Sequence, residues 1–438
     1  MSLPEPITRS PSLPEVHRSV AIPHDMGFWR KLLAYSGPGY LVSVGYMDPG
    51  NWATDLAGGA QFGYALLSVI LLSNLMAIVL QSLCVRLGVA TGRDLAQCCR
   101  DRFSPRVSLI LWILCEVAIA ACDLAELVGS AIALQLLFGV PLAIGVCLTA
   151  VDVIFVLLLQ SKGFRYVEAL VISLIVVIGG CFVVELIFSR PDLQAVGEGF
   201  VPRTEILRNR QMLYIAIGIL GATVMPHNLY LHSAIVQTRR WQETAIQKWE
   251  AIKFATIDST IALSFALFIN AGILMLAASA FHFSGNQHVG EIQDAYKLLS
   301  PVLGAPLAST LFGVALLASG QSSTLTSTMA GQIVMEGFLD IRLKPWLRRL
   351  LTRLVAIVPA LLTIVFLGEG STTNLLILSQ AILSLQLSFA VVPLVMFTSD
   401  RRLMSEFVNP KWLTCLAWSI AMVIIALNSW LLLRIFLG

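Results

Sequence analysis

The sequence predicts an all-α integral membrane protein with eleven transmembrane helices. Ten of them form a five-plus-five inverted repeat in which the first and sixth helices are discontinuous. Three observations predict this. Of 438 residues, 57% are hydrophobic and 13% charged, with a mean hydropathy of +0.81, whereas a soluble domain carries about 25% charged residues. Apolar stretches near or above the roughly 20 residues that span a bilayer recur along the chain. Two of these stretches are broken by proline and polar residues at bilayer depth, at corresponding places in two halves. The stretches are continuously apolar rather than alternating, which excludes an outer-membrane barrel.

Residues 1–35 hold Pro, Ser and charges without an apolar core and are expected to be a cytoplasmic tail, not a signal peptide. The apolar stretches cover 37–58, 64–86, 107–136, 142–160, 167–189, 211–237, 254–281, 303–335, 347–367, 373–398 and 412–434. The first repeat is therefore expected over 36–190 and the second over 211–400, with an additional helix over 411–435. An odd number of spans per repeat turns the two repeats over relative to each other. With the N-terminus inside, 23 of the 29 Lys and Arg fall in inner loops and 6 outside, which is the positive-inside pattern. The expected location is the cell (inner) membrane, with the N-terminus cytoplasmic and the C-terminus outside. The net charge of +3 then reports topology, and no nucleic-acid partner is expected. The eight cysteines form no Cys-x-x-Cys clip.

The first break is Gly45-Tyr46-Met47-Asp48-Pro49-Gly50-Asn51 and the second Gly221-Ala222-Thr223-Val224-Met225-Pro226-His227-Asn228. An ionisable Asp at this depth costs roughly 2.5–3.5 kcal/mol on insertion scales, so it marks function. Unwinding frees backbone carbonyls, and irregular backbone is tolerated in a membrane only where it lines a cavity. Asp48 offers a carboxylate, Asn51 an amide oxygen and Met225 a thioether, with the carbonyls of Gly45 and Ala222 completing a shell. Taken alone, Asp-Pro-Gly-Asn is an ordinary turn and Met225 adaptable core filling; the matched break favours ligands. Oxygen donors with one sulfur suit Mn²⁺ or Fe²⁺, with Cd²⁺ an intruder, and a Mg²⁺ site gains nothing from sulfur.

The third span carries Glu116, Asp123 and Glu126 on one helical stripe. They read either as a proton relay, since neighbouring buried carboxylates titrate as a coupled set, or as ion-pair partners that fasten helices. Arg348, Arg349 and Arg353, or Arg239, are the basic candidates. His227 and His232 on the sixth span titrate near neutrality: His227 is a proton or gating candidate, and His232 an inner-gate hydrogen-bonding residue or a relay member. The polar run Gln321 to Thr328 on the eighth span serves interhelical hydrogen bonding or a hydrated vestibule. Asp152 is isolated and receives no role, and His282 and His288, in an outside loop, are expected to be solvated rather than metal-capturing.

Asp48-Pro49-Gly50-Asn51, Met225-Pro226-His227 and Gly320-Gln321-Ser322-Ser323-Thr324-Leu325-Thr326 through Ala330-Gly331-Gln332, then Met335-Glu336-Gly337-Phe338, resemble the signatures of the Nramp family of proton-coupled divalent-metal transporters. The resemblance runs over about 36–434. It implies a LeuT-like fold and metal binding by Asp48, Asn51 and Met225, with Gln380 of the tenth span approaching the ion in some states. It also implies that Asp123 accepts the proton, with Glu126 and an arginine forming the inner exit. Position 45 is Gly where many members carry Ala; a carbonyl ligand survives that change.

The expected function is import of Mn²⁺ and Fe²⁺ with protons by alternating access, with a Mg²⁺ or amino-acid carrier of the same fold as the alternative. Metal ions and protons are the substrates, no cofactor is expected, the bilayer is the surrounding partner, and a monomer suffices. The chain has no His-Glu-x-x-His, Gly-x-Ser-x-Gly or P-loop, so an enzyme or ATP-driven pump has no support.

Overall fold

The computed structural model describes residues 11–22, 27–149, 163–286, 291–341, 344–367 and 372–437. After strand β1 (Val20–Ala21) come α1 (Phe28–Tyr35), α2 (Pro38–Gly45), α3 (Pro49–Phe62) and α4 (Leu67–Thr91). Next are α5 (Leu95–Arg102), α6 (Pro105–Phe138), α7 (Leu142–Thr149), α8 (Phe164–Ser189), α9 (Arg210–Thr223) and α10 (Pro226–Ile235). Strand β2 (Arg239–Arg240) precedes α11 (Ala245–Ala277). The remaining long helices are α12 (Ile292–Leu303), α13 (Ala308–Leu339), α14 (Pro345–Leu367), α15 (Thr372–Ser399) and α16 (Lys411–Leu437). Seven helical runs among the described residues are long and apolar enough to cross a membrane. The predicted stretch 142–160 is described only as far as Thr149, and Asp152 and His288 lie outside the described residues.

Proline opens α2, α3, α6 and α10, at a position where its missing N–H would have had no helical partner. At α5, Asp94 and Gln97 form a reciprocal capping box, each satisfying a backbone N–H that the helix leaves free. Large apolar side chains face outward along the long helices, among them Ile110, Ile113 and Val117 of α6, Val176 and Ile187 of α8, and Val355 of α14. Such a belt suits acyl chains, not water.

The interior is pinned by aromatic contacts. Trp52 of α3 is fully buried, its ring 4.9 Å from Phe182 of α8 and 5.1 Å from Phe312 of α13, centroid to centroid. Tilted and edge-on contacts of this kind add to the area they bury. They fix α3, and with it the first break, against two long helices.

The N-terminal segment, expected as a tail, is attached to the helix ends where it is described. Ser12 Oγ donates to Asp94 Oδ2 at 2.6 Å, Leu13 N–H to Glu336 Oε2 at 2.9 Å, and Arg18 N–H to Gln237 O at 3.0 Å. Val20–Ala21 pairs in parallel with Arg239–Arg240, and α1 buries Tyr35. Described residues within 1–35 are thus folded onto the helix ends. Tail-like composition concealed this because the attachments are mostly backbone pairs and caps, which leave no apolar signature.

Candidate metal centre

The chain leaves helical geometry between α2 and α3 and again between α9 and α10. Asp48 and Met225 are both extended, with φ/ψ of −68°/166° and −67°/125°. The ends of α2 and α9 therefore present free carbonyls, and the starts of α3 and α10 free N–H groups, at one depth. Asp48 caps α3: its Oδ1 accepts the Asn51 N–H at 2.8 Å. Its Oδ2 is buried and has no hydrogen-bond partner in the protein. An ionised oxygen in that position is costly until a cation or a proton neutralises it.

Asn51 ties the two breaks together. Its side-chain nitrogen donates to Asp48 Oδ1 at 2.7 Å, to Ala222 O at 3.1 Å and to Gly45 O at 3.4 Å. Three of the oxygens named as ligands from the sequence thus converge on one point. The amide is turned opposite to the sequence expectation, however. Its nitrogen faces those oxygens, while Asn51 Oδ1 faces Asn270 Nδ2 at 3.4 Å. Asn270 Nδ2 also donates to Tyr46 O at 2.8 Å, inside the first break.

Met225 is fully buried and packs with Ala118, Cys122 and Leu383. Gln380 is fully buried on α15, with Nε2 donating to Ser379 Oγ at 3.0 Å and Oε1 left without a partner. It lies between the breaks. A side chain at Gly50 would collide with the Gln380 amide, and one at Gly221 with the Gln380 carbonyl. Glycine at both positions is therefore a condition for α15 to approach. Thr223 Oγ1, next to Ala222, is a third buried oxygen without a partner. The orphaned oxygens, the converging carbonyls and a buried thioether fit a divalent cation with some soft character. Among the described residues no three or more His, Cys, Asp and Glu are grouped so as to hold a metal ion, so such a site rests on carbonyl, amide and thioether donors around one carboxylate.

Asp123 and Glu126 are buried together on α6. Ser327 Oγ of α13 sits 3.1 Å from Asp123 Oδ1 and 2.9 Å from Glu126 Oε2. A hydroxyl carries one hydrogen, so it donates to one carboxylate at a time. Cys122 Sγ–H points to Glu126 Oε1 at 3.6 Å. Glu116 lies nearer the start of α6, half-buried, and accepts from Trp112 Nε1 at 3.1 Å. Arg239 is not a partner of this stripe. It is buried against Glu168 Oε1 at 2.6 Å, which α8 brings to the end of α10. The side chains of Arg348, Arg349 and Arg353 lie outside the described residues.

His232 Nδ1 is 2.9 Å from Gln81 Oε1, and Gln81 Nε2 donates to the Tyr46 hydroxyl at 2.8 Å. That chain links α10, α4 and the first break. His227 is buried beside Met225, and its Nδ1 has no partner in the protein. His282 is not simply solvated: Nδ1 contacts Ala60 O at 3.1 Å and the ring packs edge-on against Phe283.

Asn270, Ser327 and Cys122 join the site from outside the two breaks. Ser327 belongs to the polar run already noted. Asn270 was legible only as a lone amide in the apolar stretch Phe268-Ile269-Asn270-Ala271, where an uncompensated polar group calls for a partner.

Two broken helices meeting at a buried, oxygen-rich centre inside a helical bundle define a multi-pass membrane protein of the LeuT-like class. The family model for natural resistance-associated macrophage protein-like sequences matches residues 39–434. The chain is 72% identical over 429 residues to a divalent metal cation transporter MntH of Nostoc sp., covering 98% of this chain and 97% of that one. It is 60% identical over 427 residues to the protein of the same name from Bradyrhizobium diazoefficiens, covering 98% and 95%. Among solved structures it is similar to a manganese transporter of Eremococcus coleocola, with a TM-score of 0.88, 41% identity and coverage of 95% and 90%. Inward-facing Mhp1 shares the fold alone, with a TM-score of 0.58 and 13% identity. The chain belongs to the Nramp family.

Proposed function

We propose that this protein is a secondary transporter that imports Mn²⁺ and Fe²⁺ together with protons by alternating access, and that Cd²⁺ serves as a surrogate substrate. The observation that carries the reading is the convergence of Asp48, Ala222 O and Gly45 O on one buried point where the two helix breaks meet. The relatives' names support a divalent-metal substrate. Asp48, Asn51, Met225 and the carbonyls of Gly45 and Ala222 hold the ion, and Gln380 joins with its orphaned Oε1. Met225 sets the preference for soft-tolerant transition metals over Mg²⁺.

Asp48 exchanges its proton for the metal, and Asp123 receives it; Ser327 passes it on towards Glu126. Glu116 extends the stripe, His227 and His232 gate the inner end, and Arg348 or Arg349 forms the exit. Residues 36–190 and 211–400 move as the two repeats, with 411–435 appended, in a monomer with the N-terminus in the cytoplasm. The reading includes no cofactor and no chemical conversion, only coordination and release.

The test is uptake by sealed liposomes across a pH gradient, with Mn²⁺, Cd²⁺ and Mg²⁺ offered to wild type and Met225→Ala. Transport of Mn²⁺ and Cd²⁺ but not Mg²⁺, with acidification of the lumen, is the expected result. Equal transport of Mg²⁺, or uptake indifferent to the gradient, overturns the reading.

A further inference from the structure

One side of α9 carries a stripe that the metal centre does not use. Leu213, Ala216, Ile217 and Leu220 recur at the i, i+3, i+4 and i+7 spacing of one helical face. α4 supplies a facing wall from Ser68 to Met76, and α16 closes the third side with Val423 and Leu427. Ser73 and Ala216 are small where bulky side chains would fill the junction, and the three helices leave a cavity of about 250 Å³ between them. Measured from Leu213 to Leu220 and from Ser68 to Met76, the cavity runs roughly 10–12 Å along the helices at 1.5 Å per residue. One leaflet's hydrocarbon is roughly 15 Å deep. Leu72 and Val423 on its walls are each 43% exposed, so the groove opens on the face that the apolar belt turns to acyl chains.

Its mouth has a different chemistry. Pro202, Arg203 and Ile206 line it from the segment just before α9, at the Leu213 end. The Arg203 guanidinium is exposed and has no hydrogen-bond or ion-pair partner among the described residues. No acidic residue is among the described lining. At the same end of α9, Arg434 lies over the rings of Tyr214 and Trp430, 5.2 and 5.7 Å from their centroids, and donates to Arg210 O at 3.1 Å. Arginine together with Tyr and Trp marks headgroup depth.

A free guanidinium at that depth, above an apolar slot, matches a phosphate with a hydrocarbon chain below it, since its forked donors take phosphate oxygens in pairs. A zwitterionic headgroup brings a cation that nothing in the described lining meets. We infer that the groove between α4, α9 and α16 holds one anionic phospholipid, with an acyl chain along α9 and the phosphate on Arg203. The inference is independent of the transport reading and needs only that these helices span a bilayer. Leu220, at the deep end, carries the carbonyl that accepts the Val224 N–H at 2.8 Å. The bound chain therefore braces the last turn of α9 before the second break.

The experiment is native mass spectrometry of the full-length protein released from nanodiscs of phosphatidylcholine and phosphatidylglycerol in equal amounts. Wild type is expected to retain a single phosphatidylglycerol in preference to phosphatidylcholine. Arg203→Gln should lower that retention about fivefold, the contribution of one basic residue at a lipid surface, and Arg203→Lys should recover most of it because the charge is kept. Ala216→Phe fills the groove and should reduce retention of either lipid. Val423→Trp, at an exposed position of the same wall, provides a second filling variant should phenylalanine disturb folding. Arg208→Gln, an exposed arginine outside the lining, should change retention by less than about twofold. The inference is overturned if wild type retains the two lipids equally, or if Arg208→Gln costs as much as Arg203→Gln. It is also overturned if neither filling variant lowers retention, or if the released protein is a dimer that Val423→Trp dissociates, since the face is then occupied by a second copy of the chain.

Discussion

The two breaks share a backbone and differ in what they do with it. Both interrupt a helix for two or three residues, place an extended residue at the junction and resume with proline. In the first, the extended residue is Asp48, whose Oδ1 caps α3 while Oδ2 stays unpaired. In the second it is Met225, which caps nothing and packs with Ala118, Cys122 and Leu383. Both resumed half-helices turn positive dipole ends toward the centre, which by itself repels a cation. The charge that reverses this repulsion comes from one break, and the chemical softness from the other. One scaffold used twice separates attraction from selection.

Removing the attracting half is expected to have the largest effect. Asp48→Ala deletes the centre's charge and the cap of α3 together, and Mn²⁺ uptake into liposomes should fall about a hundredfold or more, since losing one member of a buried charge pair costs roughly 3–5 kcal/mol. Residual uptake within a few-fold of wild type would break the division of labour. Removing the selecting half should be milder and ion-specific. Met225→Ala is expected to lower Cd²⁺ uptake about tenfold but Mn²⁺ only about twofold, as a thioether favours the softer ion. Competition uptake of the two metals in one preparation reads the ratio.

A third change sharpens the comparison from outside the breaks. Ser327→Ala removes the hydroxyl between Asp123 and Glu126. Mn²⁺ affinity should stay within about twofold, while protons moved per metal should drop roughly fivefold, as one hydrogen bond is worth about 1 kcal/mol. Parallel dye-reported proton flux and metal flux test this.

A last test contrasts Asp48 with a carboxylate beyond the membrane helices. Asp94 has both oxygens paired, with Ser12 and with the Gln97 N–H, yet burial still raises its pKa to about 6 against these bonds and Arg100. A carboxyl that holds its proton more tightly when folded contributes most below the unfolded value near 3.8, and that contribution is lost as pH rises through about 6. Thermal unfolding should therefore show stability declining from pH 4 to 6, by roughly 3 kcal/mol at most. Asp94→Asn should flatten that decline; an unchanged slope would assign it to other groups.

Much of this was legible in the chain. Proline beside Asp48 and Met225 inside apolar stretches marks the breaks, because nothing but function sustains such a defect in a bilayer. Most described long helices end within several residues of the apolar stretches; α11 begins at Ala245, well before the apolar stretch from 254, because a polar first turn capped by Thr244 is invisible to hydropathy. The orientation of the Asn51 amide and its pairing with Asn270 were not legible, since they depend on a contact across 219 positions of sequence. Arg239 misled for a related reason. Charge alone does not say which carboxylate a buried guanidinium will meet, and Glu168 lies nearer than the α6 stripe.

The strand pair of Val20–Ala21 with Arg239–Arg240 has a mechanical consequence. Residues 12 to 21 are stitched to the turn before α5 through Asp94, to α13 through Glu336, and to the end of α10 through Gln237. If those three points move apart, the stitches must part together, because a strand of this length cannot stretch. At about 1 kcal/mol per hydrogen bond, the bonds from Ser12, Leu13 and Arg18 would add a threshold on the order of 3 kcal/mol. Opening on this face would then be an all-or-none snap rather than a gradual widening, and spin labels at positions 12 and 94 would register it as two discrete distances.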